Sequence, residues 1–209
     1  YVGPEGNDVT GTGRSDSPWA TIGRAMSNAG LYSEYKAITV HVAAGDYDEP
    51  VAFAPNVTLL GAGAATTKVH YFNIADDEHV VVEGAEGARL QDCAIAMPGF
   101  YTTSTVLLRV DNVSMDLANV VFDGNDNLYS LGALVSGTGS SDSTFEGCTF
   151  RRLHFGVQAV NTAANITQNT FEGIRGDAVF VRLPDARKDG DPLYTPILGD
   201  ALRPSATGN

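Results

Sequence analysis

Several things are scarce in this sequence. It has two cysteines in 209 residues, too few for the disulfide framework of a small secreted scaffold. Its apolar stretches last only a few residues. A helix needs ~20 to cross a bilayer, so no membrane span is expected. Basic residues are few, 13 Lys and Arg against 25 Asp and Glu, for a formal charge of −12. A surface of that sign does not attract a phosphate backbone, which excludes nucleic acid as a main partner. Lysine occurs only at Lys36, Lys68 and Lys188. An Asp-rich, Lys-poor surface suits salt-rich surroundings, where counterions screen self-repulsion. A GC-rich genome drifting from Lys to Arg accounts for it equally well. The chain opens at Tyr1 with neither a methionine nor an apolar leader. That fits a mature protein, secreted or held at the cell surface, or a trimmed chain.

What the chain has is a repeat. Hydrophobic residues make up 43% of it, enough for a core and too many for wholesale disorder. Four segments align: Leu90 to Ile95, Leu117 to Phe122, Phe145 to Phe150 and Ile166 to Phe171, starting 27, 28 and 21 residues apart. Each has a large apolar residue at its first and sixth positions. A flat strand returns to one face every second residue, so an offset of five needs a bend that absorbs one residue. The third position holds Asp92, Asn119, Gly147 and Gln168. Asp, Asn and Gly tolerate a left-handed backbone well. Each segment therefore reads as strand, sharp bend, strand, with both apolar residues pointing inward.

A second run recurs in step: Val106 to Val110, Ala133 to Val135, Val157 to Val160 and Ala178 to Val181. Upstream, Ile38 to Val42, Val51 to Phe53, Val57 to Leu60, Val69 to Ile74 and Val80 to Val82 look like earlier, less regular turns. Short β-rich runs with a period of 20 to 30 residues mean a solenoid. A sandwich also has many short strands, but it does not explain a bend recurring in register. The expected fold is all-β, a right-handed parallel β-helix of about five or six coils over residues 1–182, followed by a proline-rich tail, 183–209. Stacked coils rise ~4.8 Å each. Cys93 and Cys148 hold the same position two coils apart, so they should be ~9.6 Å apart and free, beyond the ~7 Å limit for a disulfide. Asn169 at that position should donate and accept along the stack.

Solenoids need caps, because a terminal coil exposes backbone and core. Ser17-Pro18 looks like a helix start, and Trp19, Ile22, Met26 and Ala29 follow at helical spacing. A short capping helix over about 18–29 is expected, with Gly30 as its stop. The tail carries Pro184, Pro192, Pro196 and Pro204, with Tyr194, Ile197, Leu198 and Leu202 as apolar anchors. It is expected to cap the far end or to dock on a neighbour.

The opening resembles pectin-lyase-like parallel β-helix proteins. The residues concerned are Tyr1 to Asp8, Gly11-Thr-Gly13, Ser17 to Ile22, Val40 to Tyr47 and Val57 to Gly63. The resemblance implies the fold and its cap, and bears weakly on activity, since such proteins include lyases, hydrolases, epimerases, adhesins and inert stalks. Polygalacturonase-type paired Asp motifs with Gly-His-Gly and Arg-Ile-Lys do not occur here. Nor does the lyase pattern Trp-Ile-Asp-His.

A lyase of this fold that cleaves uronic acid polymers would need clustered carboxylates for Ca²⁺ and a basic residue near the sugar C5. Arg151 would be the base, with Asp123 and Asp177 as the acids and Asp126, Arg152 and His154 nearby. The structural alternative is strong. Asp123, Arg151 and Glu172 follow the sixth position in successive coils, and a column of acid, base and acid satisfies itself for ~0.2–1 kcal/mol per pair. His41, His70, His79 and His154 show no metal-ligand spacing. Phe100, Tyr101 and Tyr129 lie on the longest excursions between coils, and with His154 they are the candidates for stacking on a sugar or a partner. The leading expectation is a non-catalytic extracellular module, a surface, adhesive or self-assembling unit that binds polysaccharide or copies of itself and requires no cofactor. The alternative is a small Ca²⁺-dependent polysaccharide lyase, or the carbohydrate-binding part of one.

Overall fold

The structure, a computed structural model, describes residues 1–72, 78–99 and 104–182. Among the described residues, eighteen short strands wind into three parallel six-stranded sheets. The first sheet holds β1 (Ile38–Val42), β4 (Val57–Gly61), β7 (Ala88–Gln91), β10 (Met115–Ala118), β13 (Thr144–Glu146) and β16 (Asn165–Thr167). The second holds β2 (Gly45–Asp48), β5 (Thr67–His70), β8 (Ala94–Ala96), β11 (Val121–Asp123), β14 (Thr149–Arg151) and β17 (Thr170–Glu172). The third holds β3 (Val51–Ala52), β6 (Glu78–Glu83), β9 (Ser104–Asp111), β12 (Ser130–Ser136), β15 (Phe155–Val160) and β18 (Val179–Arg182). The chain passes from first to second to third sheet and repeats, so each of six rungs contributes one strand to each sheet. This is the expected parallel β-solenoid.

The bend makes each rung possible. Asp92, Asn119, Gly147 and Gln168 all sit in the left-handed region, at φ 53°, 55°, 62° and 56°. The chain turns there from first to second sheet, and the residues on either side both reach the core. Leu59, Leu90, Leu117, Phe145 and Ile166 face one another across successive strands of the first sheet. Val69, Ile95, Phe122, Phe150 and Phe171 do the same in the second. The last three form a stack, with ring centroids 4.5 Å and 5.0 Å apart and planes 2° and 9° from parallel. The third sheet makes room for it at two glycines. A Cβ on Gly132 would come within 2.8 Å of the Phe150 ring, and one on Gly156 within 2.9 Å of the Phe171 ring. Any side chain there would overpack the core.

Cys93 and Cys148 are free and buried, and Val121 and Thr149 donate to the carbonyls of Cys93 and Val120 across the bends. Burial pushes the Cys148 thiol up to about 11 and raises that of Cys93 further. Both behave as small core hydrophobes. Asn169 accepts from the Cys148 amide at 2.8 Å and donates to the Phe145 carbonyl at 2.8 Å, so it ties the last bend to its neighbour.

The capping helix starts later than the sequence signals suggest. It is α1 (Ile22–Gly30), capped by Thr21, whose hydroxyl accepts from the Arg24 amide. Ser17 and Pro18 do not start it, because their backbone is used elsewhere. Ser17 bridges Arg14, Trp19 bridges Val2, and the Pro18 carbonyl accepts from Asn7. Asp8 accepts from the amides of Ala20 and Thr21, and Glu49 accepts from those of Ile22 and Gly23. Glu49 and the Thr21 hydroxyl thus satisfy the first-turn donors that every helix start leaves over, while Asp8 fixes the segment leading into it. Ile22, Ala25, Met26 and Ala29 are buried against the first rung, and Trp19 packs beside them. Residues 183–209, Phe100 and Tyr101 lie outside the described residues.

Candidate functional site

The longer links between second and third sheets meet at one corner of the solenoid. There Asp123, Arg151 and Glu172 stand in register on β11, β14 and β17, as their positions in the repeat require. The Asp123 carboxylate is 6% exposed. It accepts from Arg151 Nε at 2.9 Å, from Arg152 Nε at 2.9 Å and Nη2 at 2.6 Å, and from the Asn125 amide at 3.0 Å. Burial alone would raise its pKa. The hydrogen bonds from Arg152 and the Asn125 amide, with the charges of Arg151 and Arg152, outweigh burial and hold it below the usual carboxylate range. The same bond holds the Arg152 guanidinium pKa up. Arg152 was legible only as a neighbour of this column, yet it is the tighter partner. Its backbone takes a left-handed turn (φ 52°) that returns the side chain onto Asp123.

Asp126 pairs instead with Arg175 at 3.6 Å, on the surface. Asp177 is exposed, its carbonyl accepts from the Gly156 amide, and its carboxylate makes no ion pair among the described residues. The structure brings Asp123 and Arg151 together and leaves Asp177 out. Among the described residues, no group of three or more His, Cys, Asp or Glu side chains is placed to hold a metal ion. His41 stacks on Tyr1, and His70 lies 3.4 Å from Asp48.

Beside this corner, on the outer face of the third sheet, lies a groove of about 560 Å³, the size of an ordinary ligand pocket. Three rungs build it. Ser104 and Val106 come from β9, Leu131 and Leu134 from β12 with Leu128 and Tyr129 just before it, and His154, Phe155 and Gln158 from β15 and its approach. Leu128 and Tyr129 are 42% and 53% exposed. The link that carries them is braced. The Asn127 side chain accepts from the Tyr129 amide at 2.9 Å, and Ser130 Oγ donates to the Asn127 carbonyl at 2.8 Å. Ser130 Oγ also accepts from the His154 amide at 3.1 Å, which locks adjacent rungs. The His154 ring stands edge-on to Phe155 at 4.3 Å. Among the described residues, the groove lining contains no carboxylate and no Lys or Arg. Next to it, Glu83 and Arg109 pair at 2.8 Å and neutralise each other.

Tyr129 and His154 were readable as candidates from their place on the links. Leu134 and Gln158 were not, because which strand residues point outward at one level depends on the register. The one available signal was Gln158, a polar residue inside the run Val157 to Val160.

No protein-family model matches the chain, and no curated protein does. Among solved structures, pectin methylesterase PemA from Erwinia chrysanthemi is similar to it, with a TM-score of 0.53 at 16% identity. The likeness covers 77% of this chain and 53% of the esterase, so the chain spans about half that enzyme's length. At this identity the likeness concerns the fold. The chain is a parallel β-helix similar in architecture to a pectin-acting enzyme.

Proposed function

We propose that this chain is a non-catalytic, extracellular β-helix module that holds an uncharged polysaccharide in the groove on its third sheet. One observation carries the reading: an open groove with an exposed tyrosine, a histidine, an amide and apolar walls, lined among the described residues by no carboxylate or cation. Aromatic rings offer apolar faces to pyranose rings, and Gln158, Ser104 and His154 offer hydrogen bonds to hydroxyls. Glycoside hydrolysis ordinarily uses two carboxylates flanking the bond, and the described lining has none. The buried Asp123 carboxylate is committed to Arg151 and Arg152. A net charge of −12 also works against polyuronates and favours neutral or esterified chains. The structurally similar esterase acts on pectin, a polysaccharide, which is in keeping with this class of ligand.

Titration calorimetry against cello-, xylo- and fully methyl-esterified galacturono-oligosaccharides tests it. Binding of at least one is expected, with Tyr129→Ala weakening binding in this groove at least tenfold, by ~1.4 kcal/mol or more, to below calorimetric detection. Two results would overturn the reading. One is no binding to any of them. The other is release of unsaturated uronides from polygalacturonate or alginate with Ca²⁺, abolished by Arg151→Ala.

A further inference from the structure

Large apolar side chains exposed on the described surface are not scattered evenly. Leu128 and Tyr129 border the groove above, Leu31, Tyr32 and Tyr35 share the turn after α1, and Tyr1 and Val9 lie on the N-terminal segment. Clustered exposure of this kind marks a contact surface. That turn walls a second groove, of about 540 Å³, on the outer face of the first sheet. Tyr35 and Lys36 stand on one side, and Asn56, Thr58, Arg89 and Asp116 on the other, from three successive rungs.

The turn holds its tyrosine outward. Tyr32 donates to the Ala29 carbonyl, and Tyr35 and Lys36 donate to that of Tyr32, so the backbone is fixed by hydrogen bonds. The Lys36 ammonium lies 5.5 Å over the Tyr32 ring, a cation–π contact that occupies both. Tyr35 is left 84% exposed. Across the groove, Asp116 is oriented by a 2.6 Å hydrogen bond from Thr144 Oγ1 and meets Arg89 at 3.4 Å. That long pair leaves both groups about half exposed, with hydrogen-bonding capacity unused. Glu34 also lines the groove, so Lys36 and Arg89 are balanced by Glu34 and Asp116. The site is rich in planar polar groups, and its described residues carry no net charge.

We propose that this groove is a second saccharide site, taking one pyranose ring against Tyr35 and its hydroxyls against Asn56, Arg89 and Asp116. The inference rests on the reading of the third-sheet groove as a site for an uncharged polysaccharide, and extends it. Because the two grooves lie on different sheets, one molecule bridges two glycan chains.

Binding stoichiometry tests this. Calorimetry with uncharged hexasaccharides of the three series above should give two sites per chain. Tyr35→Ala should leave one, Tyr129→Ala should leave one, and the double variant none, while Tyr35→Phe should keep two. Circular dichroism confirms that each variant is folded. One site in the wild type, lost with Tyr129→Ala, overturns the second site and leaves the third-sheet reading standing. One site lost only with Tyr35→Ala overturns the third-sheet reading instead. Two sites retained in Tyr35→Ala overturn the second site, and no binding overturns both.

Discussion

Asp123 is nearly withdrawn from water and faces two guanidinium groups. Its folded-state pKa is depressed below its unfolded value of about 3.9. The stabilisation it supplies is therefore complete above pH ~4 and is lost as pH falls through the folded pKa. Asp123→Asn removes the charge and keeps the shape. It should lower unfolding free energy at pH 7 by about 1–3 kcal/mol, the worth of hydrogen bonds to a charged group. The gap between variant and wild type should close below pH 4. Urea unfolding of both proteins from pH 7 to pH 3 checks this. An equal gap at every pH would mean that the Asp123 charge contributes nothing. The acid–base column was visible in the sequence because repeat position puts Asp123, Arg151 and Glu172 in line. The closer grip of Arg152 was not, because it depends on a left-handed turn at a residue type that seldom takes one.

At the level of elements, the bend was legible and the helix start was not. An odd offset between two inward residues admits only a bent solution, whereas Ser-Pro fits a helix start and a strand-edge turn alike. Asp8 and Glu49, which hold the real start, are distant in sequence from it. The bend itself offers a prediction. Gln168 is an exposed residue at φ 56° with no special tolerance for that conformation. The left-handed backbone costs an L-residue roughly 1–2 kcal/mol, and glycine avoids that cost while adding unfolded-state entropy. Gln168→Gly should therefore stabilise the protein by about 0.5–1 kcal/mol. Thermal unfolding would register it as a rise in Tm, and a fall would show that the Gln168 side chain supports the bend by other means.

The two ends of the whole molecule differ. At the first rung, Val2 bridges Val42 and Trp19, and α1 covers the core opening. At the sixth, β16, β17 and β18 are the terminal strands of their sheets among the described residues, and Ile166 and Phe171 are only half-buried. This asymmetry among the described residues bears on assembly, since α1 packs against β1 and β3 at the first rung. It also bears on how the rod comes apart. Stability in a solenoid is a sum of rung and neighbour terms, so a rung with one neighbour opens before one with two. Leu107, Leu108, Val110, Ala133 and Val135 are completely buried on β9 and β12, which pair on both sides. Their amides should be the last to exchange with deuterium, and peptides spanning 165–182 the first among the strands, with the helix-covered rung in between. Hydrogen exchange read by mass spectrometry would show that gradient. Protection at 165–182 equal to that at 105–110 would mean that the open edge is covered, and would point to a cap supplied by residues beyond Arg182 or by a second molecule.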